Sequence, residues 1–133
     1  MDDGPRIGDS AELSLTVTPM HTADAIGNPG VPVYATPQVV ALMESAGHAV
    51  LRPHLPPGGG SVGTMVEMRH LAATPVGMRV RARATVLARD GRRALFAVEA
   101  WDEREKIAEG RQERAVVPDL ARFLERVARK GRA

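Results

Sequence analysis

Tyr34-Ala35-Thr36-Pro37-Gln38-Val39-Val40-Ala41-Leu42-Met43-Glu44-Ser45-Ala46-Gly47 sets where the long helix of this chain begins and which of its sides is buried. Thr36 followed by Pro37 is a start signal: a hydroxyl at the N-cap accepts from free backbone donors, and proline in the first turn lacks an amide that would go unpaired. From Thr36, positions Val40, Met43, Gly47, Val50 and Leu51 fall on one stripe at helical spacing, while Gln38, Ser45, His48 and Arg52 share the opposite side. Glu44 is a misfit on the buried side. An ionised carboxylate is costly to bury unless it is paired or its pKa rises, so Glu44 is either a group poised for chemistry or a boundary residue on a slightly rotated helix.

Working outward, Arg52-Pro53 and the run Pro56-Pro57-Gly58-Gly59-Gly60 end the helix near Leu51. Upstream, Thr18 to Val33 is broken by prolines and glycines, leaving room for a short turn around Asp24 to Ile26; a long loop of this kind is expected to border a ligand site. Leu13, Leu15 and Val17 alternate with Glu12, Ser14 and Thr16 as a half-buried strand. Residues 1–10 are polar, contain Gly and Pro, and are expected to be flexible.

Downstream, Thr64 to Ala72 reads as a strand with Thr64, Val66, Met68 and His70 on one face. Arg79 to Arg89 sends Val80, Ala82, Ala84, Val86 and Ala88 one way and Arg79, Arg81, Arg83 and Arg89 the other. A three-residue loop, Asp90-Gly91-Arg92, with Gly91 in a bulge sets Val86 opposite Phe96, Ala84 opposite Val98, Ala82 opposite Ala100, Arg83 opposite Glu99 and Arg81 opposite Trp101. A further strand is expected over about Lys106 to Val117. Pro118-Asp119 then opens a closing helix with Leu120, Phe123, Leu124 and Val127 as its apolar stripe.

The chain has 133 residues, enough for one domain with a real core. It lacks cysteine, which removes disulfides and thiolate metal sites and fits a cytoplasmic location. No stretch reaches the ~20 apolar residues of a membrane span, and the acidic start has no signal-peptide core. Lys and Arg total 18 against 16 Asp and Glu, a net charge of +2, and aromatic content is 3%. That balance argues against nucleic acid as a partner. Arg122, Arg126, Arg129, Lys130 and Arg132 nevertheless cluster near the end; they form a solvated helix face or a resting place for a phosphate-bearing ligand.

A strand, a loop, one long helix and four consecutive strands describe an α+β domain in which an antiparallel sheet of about five strands wraps a central helix, followed by a C-terminal helix. The hotdog fold over residues 11–130 is the expected architecture. Its exposed sheet edges favour pairing into a homodimer, with a tetramer as a further possibility.

Several runs together resemble the fluoroacetyl-CoA thioesterase-like branch of the hotdog thioesterase superfamily: Asp24-Ala25-Ile26-Gly27-Asn28, Val33-Tyr34-Ala35-Thr36-Pro37, Leu42-Met43-Glu44, Ser61-Val62-Gly63-Thr64, His70 to Gly77, and Glu113-Arg114-Ala115-Val116-Val117. The resemblance spans about Ala11 to Arg126. It implies Thr36, Glu44 and His70 as the catalytic set and Gly63, Thr64 and Arg114 as substrate-binding positions, the Gly63 amide helping to hold the thioester carbonyl. It implies no metal and no cofactor, coenzyme A being part of the substrate. Two departures stand out. Asn28 to Pro32 lacks the aromatic residues with which the branch's founding member selects a fluorinated acyl group, and Gln112 stands where a histidine often precedes the Glu-Arg pair.

Thioester hydrolysis needs an activated nucleophile, donors for the oxyanion and a proton source for the thiolate. His70 as base, Thr36 as nucleophile or as a positioner of water, Glu44 as the group orienting His70, and amides at Gly63 or the helix N-terminus meet those needs. Each has a simpler reading: Thr36 as an N-cap, Glu44 as a boundary residue, His70 as a satisfied half-buried histidine. Thr36 and Glu44 also lie about 12 Å apart along a straight helix, so His70 must bridge them or a second subunit must bring them together. His21, His48 and His54 are read as loop or surface residues, and Gly58-Gly59-Gly60 as a flexible turn. The functional expectation is an acyl-CoA thioesterase acting on a small or medium acyl group. A binding module of the same fold that holds an acyl thioester without hydrolysing it is the alternative.

Overall fold

The structure, a computed structural model, describes residues 4–132. Five strands form one antiparallel sheet in the order β1-β3-β4-β5-β2: β1 Ser10–Thr16, β2 Gly60–His70, β3 Arg79–Asp90, β4 Arg93–Trp101 and β5 Lys106–Val117. Helix α1, Thr36–Leu51, lies across its concave face, and α2, Leu120–Arg132, follows β5. This arrangement of one wrapped helix and a curved sheet is the hotdog fold.

Helix α1 buries Val39, Leu42, Met43, Ala46, Gly47, Val50 and Leu51. The expected stripe is therefore rotated: Val40 is only partly covered, and Val39, Leu42 and Ala46 complete the buried face. Opposite them, Ala82, Ala84 and Ala100 let the helix approach closely, while Val86, Phe96, Val98 and Ile107 fill the volume. Phe96 is fully buried, and its truncation to Ala would cost roughly 3–5 kcal/mol.

The β3–β4 register is the one that the apolar pattern demands, with Val86 against Phe96, Ala84 against Val98 and Arg81 against Trp101. The device producing it differs from the expected three-residue loop. Asp90 pairs with Arg93, leaving only Gly91 and Arg92 in the turn, and the extra residue is Leu87, bulged between Val86 and Ala88. Gly91 takes φ 59°, which suits a tight turn at low steric cost. Trp101 accepts the Arg81 guanidinium over its ring at 4.4 Å. Arg83, although opposite Glu99, bonds Glu12 of β1 at 3.1 Å instead, and Lys106 takes Glu99 at 3.0 Å.

Strand β2 begins earlier than expected and carries a bulge between Gly63 and Met65. The extra residue is Thr64. Strand neighbours alternate faces, so the bulge lets Gly63, Val66, Met68 and His70 share the side of their partners Arg114, Gln112, Gly110 and Ala108. Thr64, expected on the His70 face, turns away and donates its hydroxyl to Glu113 Oε1 at 2.6 Å.

At the N-terminus, residues 1–3 of the segment expected to be flexible lie outside the described residues. The rest is docked: Gly8 N donates to Val86 O at 2.9 Å, Val86 N donates to Asp9 O at 2.8 Å, and Pro5 is buried. Backbone pairing with the bulged end of β3 overrides the polar composition there. Helix α2 starts after Asp119, whose Oδ1 accepts from Arg122 N at 3.0 Å, and its Leu124 and Val127 remain about half exposed.

Candidate active site

Thr36 opens α1 rather than capping it. Ala35 is the N-cap, in an extended conformation, and no side chain caps this end. The hydroxyl freed from capping meets His70 at the end of β2, with Thr36 Oγ1 2.8 Å from His70 Nδ1. Both residues are held by backbone pairing. Ala35 N donates to His21 O at 2.9 Å, Tyr34 N to Thr74 O at 2.9 Å, and Leu71 N to Ile107 O at 2.7 Å. Tyr34 is buried beneath them, its phenol donating to Gln38 O at 3.2 Å; burial pushes its pKa up to about 12, so it stays neutral.

Burial also holds the His70 imidazole below the ordinary histidine value, with the Ala72 backbone pulling the other way. A neutral ring at pH 7 is the form that accepts a proton. With Nδ1 accepting from Thr36, the other nitrogen carries the hydrogen, and Nε2 is buried without a hydrogen-bond partner among the described residues. The pair lines a cavity of about 360 Å³ walled by Asn28, Val31 and Val33 of the long loop and by Leu71 and Ala72. The loop thus borders this cavity, as its length suggested. Its single helical turns, Pro19–His21 and Ala23–Ile26, and the bond from Gly30 N to Asp24 Oδ1 at 2.7 Å give it local order.

A second polar group forms at the other end of β2. Arg114, 7% exposed, donates from Nε to Ser61 Oγ at 3.1 Å, from Nη2 to Ser61 O at 3.3 Å, and from Nη1 to Gln112 Oε1 at 3.4 Å. Its ion pair with Glu44 is long, 3.5 Å, and Glu44 itself is 38% exposed in its side chain. Glu44 is thus at the rim of the buried stripe, facing a cleft of about 640 Å³ that it shares with His48, Arg52, Ser61, Arg114 and Leu13. Gly63 lies beneath it, and a Cβ there would push the end of the Glu44 side chain aside.

Two members of this group escape a reading of the sequence alone. His48, taken for a surface residue, places Nδ1 2.7 Å from Ser61 Oγ; burial, Arg114 and Arg52 all lower its pKa, so its neutral ring accepts the Ser61 proton while that oxygen accepts from Arg114. The signal was its position four residues after Glu44, which puts both on one helix face. Gln112 is fully buried and donates to Met43 O at 2.6 Å, tying β5 to α1.

The structure therefore brings Thr36 to His70, and Glu44 to Gly63 and Arg114. Within one chain no hydrogen bond or ion pair among the described residues joins the two groups. Thr64 belongs to neither, its hydroxyl being committed to Glu113. Among the described residues no group of three or more His, Asp or Glu is placed to hold a metal ion, and no helix is long and apolar enough to cross a membrane.

A wrapped helix whose N-terminus presents a hydroxyl–imidazole pair defines the class, hotdog proteins of the thioesterase superfamily. A Thermus thermophilus protein of that superfamily superimposes with a TM-score of 0.87 at 34% identity, covering 96% of each chain. The model of the fluoroacetyl-CoA-specific thioesterases matches residues 17–120, and the chain belongs to that family. The fluoroacetyl-CoA thioesterase of Streptantibioticus cattleyicolor is 36% identical in an alignment 137 positions long that covers 98% of this chain and 97% of that protein. The crystal structure of a point mutant of the fluoroacetyl-CoA-specific thioesterase FlK gives a TM-score of 0.90 at 35% identity, covering 97% of this chain and 99% of that one. A mutant of FlK in complex with fluoroacetate and CoA gives 0.84 at 35% identity, covering 89% and 98%.

Proposed function

We propose that this protein hydrolyses acyl-CoA thioesters, with Thr36 as nucleophile and His70 as general base and acid. The observation that carries this reading is the 2.8 Å contact between Thr36 Oγ1 and His70 Nδ1 at the open end of α1. His70 Nδ1 takes the hydroxyl proton as Oγ1 attacks the thioester carbonyl carbon. The negative charge that develops on the carbonyl oxygen is met by the Thr36 backbone N–H, with the helix dipole behind it, the Gln38 and Val39 amides being committed to Ala35 O. Collapse expels coenzyme A as a thiolate, which takes the proton from His70. Water then attacks the acyl-threonine ester with His70 as base, releasing the acid and restoring the hydroxyl.

Among the described residues no ion pair reaches the imidazolium formed in the first step, and Glu44 sits with Arg114 instead. A homodimer supplies one. Strand β2 is an edge of the sheet with one side of its backbone unpaired. Antiparallel pairing of two β2 edges about a two-fold axis near Glu67 sets His70 against Gly63 of the partner subunit, and with it Glu44 of the partner subunit, which lies over that glycine. The bulge at Thr64 keeps the core-facing residues of both strands on one side across such a junction. The amide of the partner's Gly63 then joins the oxyanion donors.

The acyl group is small or medium, set by the cavity beside Thr36. Asn28 to Pro32 gives that cavity no aromatic wall, so selectivity for a fluorinated acyl group is not part of the reading. Thiol release from a panel of acyl-CoA substrates tests it: turnover lost in Thr36→Ala and His70→Ala supports the assignment, whereas tight binding of acyl-CoA with no turnover by the wild type would make this a binding module.

A further inference from the structure

At the end of the sheet remote from His70, Arg92 of the β3–β4 turn and Arg122 and Arg126 of α2 surround a cavity of about 260 Å³, with Phe123 in its wall and Asp119 at its rim. These arginines differ from several of those on the sheet. Arg81 and Arg83 are neutralised by Glu12, Arg111 by Glu67, and Arg114 by Glu44. Arg92, Arg122 and Arg126 make no side-chain hydrogen bond or ion pair with any described residue. The acid nearby, Asp119, is engaged in accepting from the Arg122 amide. Two like charges one helical turn apart repel by a few tenths of a kcal/mol. A third beside them leaves a local excess of positive charge that Asp119 offsets only in part.

The frame that holds them is firm. Val116 N donates to Arg92 O at 2.8 Å, and Leu120 N donates to Gly58 O at 3.0 Å, so the turn and the start of α2 are both fastened to the ends of β5 and β2. Leu120 packs over Gly60, the first residue of β2. Along β2, Gly60 lies three residues from Gly63, about 10 Å, and ten residues from His70, about 33 Å. A pantetheine arm has roughly thirteen bonds between sulfur and pyrophosphate, about 15 Å when extended at peptide-like dimensions. It spans the first distance and not the second.

We propose that Arg92, Arg122 and Arg126 receive the 3′-phosphorylated adenosine diphosphate end of an acyl-CoA, presenting its thioester to the Thr36–His70 pair of the partner subunit. This rests on the thioesterase reading and on the paired β2 edges. Guanidinium forks match the paired oxygens of phosphates, and the three phosphate groups of this ligand answer the three charges. Phe123 gives the adenine an apolar surface, and Asp119 at the rim disfavours phosphate placement directly over the first turn of α2.

The test compares two thioesters carrying the same acyl group, one on CoA and one on pantetheine, with wild type, Arg92→Glu and the double variant R122E/R126E. The expected result is a KM for acyl-CoA raised about tenfold or more in the double variant, with kcat nearly unchanged, and no change on acyl-pantetheine. The wild-type preference for acyl-CoA also falls with added salt, and that dependence weakens in the variants. Equal effects on both substrates, or none on acyl-CoA, would overturn the proposal. Binding of free CoA is measured alongside by calorimetry: weaker binding by R122E/R126E supports the receptor and equal binding overturns it, whether or not the wild type turns over. Absence of turnover on either thioester would instead remove the thioesterase reading.

Discussion

Thr36 Oγ1 and His70 Nδ1 stand 2.8 Å apart although 34 positions separate them, one opening α1 and the other closing β2. The hydroxyl that a helix start would ordinarily use on its own amides is thereby available to an imidazole. Thr36→Ser keeps this contact and is expected to retain measurable turnover. Thr36→Ala is expected to lose about 10²-fold or more in kcat, with no acyl adduct seen by mass spectrometry after rapid quench.

Burial lowers the His70 pKa within its own subunit, whereas the partner's Glu44, brought to the imidazole in the proposed dimer, raises it. Glu44→Gln is therefore expected to move the acid limb of the residual kcat/KM profile to lower pH. An acid limb that stays in place or moves to higher pH in Glu44→Gln would contradict this order of events.

The proposed sharing of the site between subunits has a quantitative consequence. Thr36→Ala and Glu44→Gln homodimers are each expected to be nearly inactive. Subunits mixed and re-paired at equal amounts should regain about a quarter of wild-type activity, since half of the dimers are mixed and each of those has one intact site. No recovery would place Glu44 and Thr36 in the same subunit's site or leave Glu44 without a role.

Two glycine-to-alanine changes should behave in opposite ways. In a helix this change ordinarily stabilises by roughly 0.5–1 kcal/mol. At Gly47 the new Cβ would lie 2.7 Å from Gln112 Cδ, and that amide is pinned by Met43 O and Arg114. Gly47→Ala is therefore expected to destabilise by about 1–3 kcal/mol in chemical denaturation. At Gly63 the clash falls on the mobile end of Glu44. Gly63→Ala should leave the denaturation midpoint almost unchanged while lowering kcat, as displacement of a carboxylate predicts.

How far the sequence reaches is clearest in β3 and β4. Placing Val86 opposite Phe96 follows from burying one face and wetting the other, and any register shifted by one residue would bury arginines. Which residue bulges to satisfy that register costs little either way, so Leu87 rather than the turn was not legible beforehand. The same limit applies in β2. Alternation assigned His70 to the inner face, but the bulge at Thr64 moved that threonine to Glu113 and put Gly63 under Glu44. Glu44 as a misfit was visible from periodicity; its partner Arg114, 70 positions away, was not.

Local order came from the amino-acid sequence: Pro37 set where α1 starts, the apolar spacing placed its buried face to within a small rotation, and the resemblance of scattered motifs marked Thr36, Glu44 and His70. Tertiary structure alone decided that Thr36 serves an imidazole instead of its own helix, that Glu44 joins Arg114 at the far end of β2, and that His48 and Gln112 complete that group. The reason is physical. Periodicity and capping act over a few residues, whereas the meeting of distant side chains depends on strand order, register and the placement of single bulges, which are fixed only when the whole sheet closes around the helix.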